Sequence, residues 1–209
     1  MRTNRRTFPA AEIIPATSLA PIEFATVFGR SAPLEVDLGC GDGSFLVALA
    51  RQSPEKNFVG VERLPGRVRS ACRKIGALRL TNARILRHDL LDAVRQLFAP
   101  ASVDSFNLMF SDPWPKRRHQ SRRVVTPEFL RATSRALQVG GVFRIATDDA
   151  DYFAAMEEMV ATFPAFARIV GNDERQLPIT TFEERFRDRE IHRLALRNVS
   201  LRRNGAASQ

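Results

Sequence analysis

The sequence predicts an α/β domain built on a mostly parallel sheet with helices on both faces. Three observations carry this expectation. Short apolar, β-branched segments alternate with helical periods along most of the chain. The first such segment, Leu34–Leu38, feeds through Gly39-Cys40-Gly41-Asp42-Gly43 directly into the helical pattern Ser44–Gln52. Three successive strand signals end on an acid, at Asp37, Glu62 and Asp89, and a parallel sheet brings the carboxyl ends of its strands to one edge. A length of 209 residues suits one domain, and 44% hydrophobic against 26% charged residues supplies a full core.

In chain order, residues 1–20 read as a flexible N-terminal arm, arginine-tipped and broken by Pro9 and Pro15. The domain is expected over residues 21–201, opening with a short helix within Pro21–Gly29. After the strand, turn and helix at residues 34–52, Phe58–Glu62 reads as a second strand. Pro65 fits the first turn of a helix reaching about Leu78, where its missing N–H does no harm. Ala83–Arg87 is a third strand ending at His88-Asp89, followed by a helix near Leu91–Phe98. Ser105–Ser111 is the fourth. Thr126-Pro127-Glu128 starts a helix to about Gln138, which Gly140-Gly141 is expected to break. Val142–Ala146 is a fifth strand, ending at Thr147-Asp148-Asp149. Asp151–Phe163 is a helix whose Phe153, Met156, Met159 and Val160 form a core stripe. Thr180 followed by Glu183 matches a capping box opening a short helix. Ile191–Leu201 reads as a last, antiparallel strand, and residues 202–209 as a tail.

The charge balance is basic, with 32 Lys+Arg against 23 Asp+Glu for a net +9. All the cations but Lys56, Lys74 and Lys116 are arginine, whose planar fork matches phosphate and stacks on bases. A nucleic-acid partner and an arginine-rich proteome explain this equally well. Cys40 and Cys72 give neither a C-x-x-C pair nor a disulfide framework, so no metal is expected. No apolar run approaches a membrane span or a signal peptide, which leads to the expectation of a soluble, cytoplasmic protein, monomeric or homodimeric.

The three acid-tipped strands discriminate between ligands. A dinucleotide pyrophosphate needs N–H-rich space and is repelled by a carboxylate at the end of the first strand. The spacing G-x-G-x-G also departs from the dinucleotide G-x-G-x-x-G. A cationic, phosphate-free ligand such as S-adenosylmethionine suits Asp37, Glu62 and Asp89, and Gly39, Gly41 and Gly43 let the backbone approach it closely. A nicotinamide cofactor is the weaker alternative.

The fourth strand runs into Asp112-Pro113-Trp114-Pro115, then into Lys116, Arg117, Arg118, His119, Arg122 and Arg123. A buried strand thus ends on a carboxylate, a rigid turn and a basic loop, suited to holding a flat group beside an acid while a polyanion is gripped outside. The basic run reads as phosphate contact or as a solvated face, with the adjacent crevice favouring the former. Trp114 suits either base stacking or packing beneath the loop.

Asp112-Pro113-Trp114-Pro115-Lys116, His119, Arg122-Arg123, Thr147-Asp148 and Thr180-x-Phe182-Glu183 together resemble the bacterial tRNA (guanine-N7)-methyltransferases. The likeness covers about Phe24 to Leu201 in matching order. It implies a Rossmann-like class I methyltransferase with a seven-stranded sheet, S-adenosylmethionine as methyl donor, tRNA as partner, and methylation of guanine N7 at position 46 of the variable loop. It also implies that Asp37, Glu62, Asp89 and Asp112 hold the donor, with Asp112 the active-site acid. By the same resemblance Lys116, Asp148, Thr180, Thr181, Phe182 and Glu183 contact tRNA or guanine, with His119 and Arg122 close by. Asp42 and Phe186 depart from the family pattern, the first where a basic or small residue is common, the second where many members have glycine.

Guanine N7 carries a free lone pair, so its methylation needs no general base, only alignment and a carboxylate for the positive charge that develops on the ring. Asp112 is the candidate for that charge, and Asp148 and Glu183 are acceptors able to read the guanine N1–H and amino edge. A methyltransferase for an exocyclic amine and a non-catalytic RNA-binding module are the rival readings.

Overall fold

The computed structural model describes residues 11–15, 17, 20–171 and 177–200, so most of the expected arm and the whole tail 202–209 lie outside the described residues. The chain folds in the order β1 (Glu12–Ile13), α1 (Phe24–Phe28), β2 (Leu34–Leu38), α2 (Ser44–Gln52), β3 (Asn57–Glu62), α3 (Pro65–Ala77), β4 (Ala83–Arg87) and α4 (Leu90–Asp92). It continues with β5 (Val103–Met109), α5 (Pro127–Ala136), β6 (Leu137–Thr147), α6 (Ala150–Ala161), β7 (Phe166–Arg168), α7 (Thr181–Arg185) and β8 (His192–Asn198). One sheet runs β1-β4-β3-β2-β5-β6-β8-β7. All neighbours are parallel except where β8 meets β6 and β7.

The parallel sheet and its antiparallel last long strand agree with the sequence. The sheet has eight strands among the described residues, not seven. Glu12–Ile13, read as part of an arm, pairs with Ile85–Leu86, and Phe166–Arg168 adds a strand that no periodicity announced. Gly140-Gly141 does not separate a helix from a strand: α5 already ends at Ala136, and both glycines lie within β6. Gly140 has φ +83°, and a Cβ on Gly141 would come 2.9 Å from two carbonyl oxygens, so the strand passes there only as glycine. The helix expected near 91–98 is a short α4 followed by a π-helical turn, Ala93–Leu97.

Period-two alternation sorts the central strands into two faces. One face carries Val36, Leu38, Phe106, Leu108, Phe143, Ile145, Leu194 and Leu196 into the main core with α5 and α6. A file of rings crosses that core, Phe24–Phe98 at 5.3 Å, Phe98–Phe106 at 5.8 Å, Phe106–Phe143 at 6.5 Å and Phe143–Phe166 at 6.2 Å between centroids. The other face is apolar under α2 and α3, where Phe45, Leu46, Leu49, Phe58, Val68 and Ile85 pack. Toward the middle of the sheet this face turns polar: Glu35, Asp37, Ser105, Asn107 and Arg144 are all buried. The register aligns Asp37, Asn107 and Arg144 across three strands.

Candidate active site at the carboxyl edge of the sheet

The β2–α2 turn is tied to the end of β3, because the N–H groups of Gly39 and Cys40 both donate to the Val61 carbonyl, at 2.8 and 3.1 Å. Gly39 and Gly41 take φ of +75° and +56°, with no side chain closer than 3.8 Å to the position a Cβ would occupy. Gly43 differs. Its φ is +78°, its N–H is taken by the Cys40 carbonyl, and a Cβ there would lie 2.6 Å from the Ala71 Cβ. Gly43 therefore seats α2 against α3. Asp42 is neutralised locally: its carboxylate meets Lys74 Nζ at 2.5 Å and the Ser44 N–H at 3.1 Å. Partial burial works against its charge, but Lys74 and Ser44 outweigh it and hold the carboxyl below the ordinary range.

A crevice of about 920 Å³ opens at this edge, lined by Gly39, Glu62, Asp89, Asp112 and Trp114 among others. Its acids are aimed by backbone donors. Glu62 accepts from the Leu64 N–H at 2.8 Å, and Asp89 caps α4 through the Leu91 and Asp92 N–H groups. Asp37 does not line the crevice; it is 3% exposed, just before the Leu38-Gly39 wall, and its Oδ2 has no hydrogen-bond partner among the described residues. Burial, then the neighbouring Glu35 and Glu62, push its carboxyl up to about 8. The crevice mixes acids with Arg63, Arg67, Arg122, Arg123 and Arg131, and Glu62 and Asp89 beside the Gly39 turn are the groups that fit a cationic, hydroxyl-bearing ligand.

This shift ties stability to pH. Below the unfolded-state value near 3.8 Asp37 is neutral in both states. As pH rises from there to about 8, the unfolded chain sheds a proton that the folded protein keeps, so stability is progressively lost across that window. Asp37→Asn is expected to flatten the decline in Tm between pH 5 and 8, measured by thermal melts of the ligand-free protein. An unchanged pH slope would show that Asp37 is ionised in the fold.

On the acceptor side, the chain leaves β5 through two non-glycine residues of positive φ, Phe110 at +57° and Trp114 at +45°, which bracket Asp112. Such strain persists only where the surroundings over-determine it. Here Arg123 donates to the Pro113 carbonyl at 2.8 Å while its guanidinium covers the Tyr152 ring at 4.7 Å. Arg123 thus stitches the loop to α6, whereas the sequence favoured phosphate contact. Trp114 packs within the loop, with Arg122 at 5.0 Å over its ring and His119 edge-on at 5.7 Å. The His119 Nε2 lies 3.3 Å from Arg118 Nε, and no contact joins His119 to Asp112. Lys116 and Arg117 point outward, fully available at the start of the turn spanning Arg117–Arg122.

Thr147-Asp148 ends β6, and the capping box is present as expected: Thr180 Oγ1 accepts from the Glu183 N–H while Glu183 Oε2 accepts from the Thr180 N–H. Thr181, exposed, opens α7. Phe182 stacks on Phe110 at 4.4 Å and touches Phe186 at 4.6 Å, so the departure at Phe186 extends an aromatic stack. Arg189 pairs with Asp148 and Arg193 with Glu183. Phe110, Arg189 and Arg193 were missed from the sequence, where the arginines look like any solvated run. Thr180, Glu183 and Arg193 line a second cavity of about 700 Å³, which shares Met109 at the end of β5 with the first. Asp148 lines neither. Two cavities therefore converge on the end of the strand that delivers Asp112. Among the described residues there is no His/Cys/Asp/Glu cluster able to hold a metal, and no helix long and apolar enough to cross a membrane.

The fold and this edge define a class I methyltransferase. A family model described as "Putative methyltransferase" matches residues 31–196. The chain is 36% identical over 173 residues to a tRNA (guanine-N(7)-)-methyltransferase of Shewanella woodyi, covering 79% of this chain and 71% of that protein. It is 38% identical over 171 residues to the protein of the same name from Pseudomonas syringae pv. tomato, covering 79% and 70%. The aminoglycoside resistance methyltransferase NpmB1 shares the fold, with a TM-score of 0.58 at 18% identity over 87% of this chain and 94% of that one. The chain belongs to the tRNA (guanine-N(7)-)-methyltransferase family.

Proposed function

We propose that the protein is an S-adenosylmethionine-dependent tRNA methyltransferase of the cytoplasm that forms 7-methylguanosine at position 46 of the variable loop. The observation that carries this reading is the meeting, at the end of β5, of a crevice holding Glu62, Asp89 and Asp112 and a second cavity holding Glu183 and Arg193, with a basic loop beside Asp112.

Glu62 and Asp89, with the open backbone at Gly39, are the residues that would hold the donor, with Asp37 buried behind them. When bound there, S-adenosylmethionine supplies a methyl group made electrophilic by its sulfonium. The chain's own residues then have three tasks. The acids match the donor's positive charge and hydroxyl groups. Asp112 faces the reacting ring and stabilises the charge it gains, with no proton to remove from N7. Lys116, His119 and Arg122 lie on the RNA side, with Asp148 and the Thr180–Glu183 segment beside the base.

Incubation with S-adenosylmethionine and unmodified tRNA, followed by nucleoside mapping, tests the reading. 7-Methylguanosine in the variable loop is expected, and N6-methyladenine or no product would overturn it. Replacing Lys116 and Arg117 together with alanine should weaken tRNA binding and reduce the slope of log K against log salt by about 1.5–2, as two lost phosphate contacts require. An unchanged slope would return both cations to the solvated face.

A further inference from the structure

We infer that the backbone of the bound tRNA bridges the crevice at the carboxyl edge, from Arg63 on one wall to Arg131 on the other, and covers the donor site while it is engaged. The inference rests on the proposed function. It adds a hold on the RNA apart from the basic loop at residues 116–123, and an order of events: the donor enters before the tRNA, and the demethylated donor leaves after it.

The two walls come from opposite faces of the sheet. Arg63 precedes α3, which packs through Val68, Ala71 and Ile75 on the face that carries α2. Arg131 lies on α5, which packs through Phe129 and Leu130 on the other face. Both arginines line the crevice that opens between these helices. Each is exposed, and neither makes a hydrogen bond, ion pair or ring contact among the described residues.

The fold itself has no use for either cation. Arg63 stands just before α3, at the helix end where positive charge is disfavoured, and the first turn of α3 holds no acid to offset it. Arg131 follows Glu128 by three positions, but Arg95 already engages that acid at 2.8 Å. Arg135, one turn further along α5, behaves differently: its guanidinium donates to the carbonyls of Val94, Arg95 and Phe98. The acid next to Arg63 is turned inward. Glu62 is 5% exposed and accepts from the Leu64 N–H, so this wall sets a negative charge in the depth of the crevice and a positive one on its rim. The depth suits a small cation, and the rim suits a polyanion lying across it.

The test uses the full chain, unmodified tRNA and radiolabelled S-adenosylhomocysteine, chased from the protein by an excess of the unlabelled compound. On the wild-type protein, tRNA should slow release by about 10-fold or more, because release then waits on departure of the RNA. Arg63→Ala and Arg131→Ala should each weaken tRNA binding about 5- to 8-fold at about 0.1 M salt and reduce the slope of log K against log salt by about 0.7–0.9, one phosphate apiece. The double variant should release S-adenosylhomocysteine at nearly the same rate with and without tRNA, and without tRNA at the wild-type rate. Arg51→Ala, at the far end of α2, should leave slope and release unchanged. An unchanged slope in either crevice variant, or wild-type release indifferent to tRNA, would overturn the bridge. Faster release from either variant in the absence of tRNA would assign that arginine to the donor and overturn it equally. Formation of 7-methylguanosine beside such a result confines the failure to the bridge, whereas its absence from the wild-type reaction overturns the functional reading and this inference with it.

Discussion

Asp112→Ala is expected to lower methyl transfer by about 10²- to 10³-fold while leaving tRNA affinity nearly unchanged, the scale seen when one preorganised group facing a developing charge is removed. The expectation follows from where the residue sits. Asp112 lines the crevice at the carboxyl edge and is bracketed by Phe110 and Trp114, whose positive φ values fix the path of the chain on either side. No hydrogen bond within the described residues engages its carboxylate, so it remains available to the acceptor ring. On the proposed reading, affinity for tRNA rests on phosphate contacts made by other residues. Asp112→Asn separates two roles, since the amide keeps an acceptor oxygen and loses the charge. If charge stabilisation dominates, the asparagine variant resembles the alanine one. Single-turnover methylation alongside filter binding measures both quantities, and turnover like the wild type in Asp112→Ala would remove the residue from the mechanism.

Gly43→Ala is expected to be the most destabilising of the small substitutions in the donor turn. A left-handed conformation costs an L-residue about 1–2 kcal/mol. The new Cβ would lie 2.6 Å from the Ala71 Cβ and 3.0 Å from its Cα, atoms that cannot turn aside, which adds about 1–3 kcal/mol of overpacking. Together these correspond to a fall in Tm of roughly 5–15 °C for a chain of this size. Ala71→Gly removes the 2.6 Å contact, leaving the 3.0 Å approach to Cα, while weakening α3 by about 1 kcal/mol. The double variant should therefore lose clearly less than the sum of the two single losses. Strict additivity would mean that α2 and α3 do not meet as closely as the geometry states.

What the sequence made legible was local. The turn from β2 into α2, the proline start of α3, the Thr126 cap of α5 and the Thr180–Glu183 box each depend on residues within a few positions of one another, and all four are present. The edge strands β1 and β7 went unread because two or three residues cannot display a period of two. Gly140 and Gly141 were misjudged because a glycine pair looks the same at a break as inside a kinked strand. The companions of the candidate site residues were hidden for another reason. Asp148 and Arg189 are 41 positions apart, and Phe110 meets Phe182 only through the sheet topology, so neither pairing leaves a signature in one sequence. The close seat of Gly43 on Ala71 is likewise a meeting of α2 with α3 that one sequence does not display.

The two shortest strands have a consequence for how copies of the molecule meet. A sheet margin with a long row of unpaired N–H and C=O groups is a template for adding another chain. Here the margins are stubs of two residues, Glu12–Ile13, and three, Phe166–Arg168. Each occupies the flank of a longer strand and offers too few open groups to recruit a further one. The sheet thus presents, at both of its ends among the described residues, only a short template for a further strand.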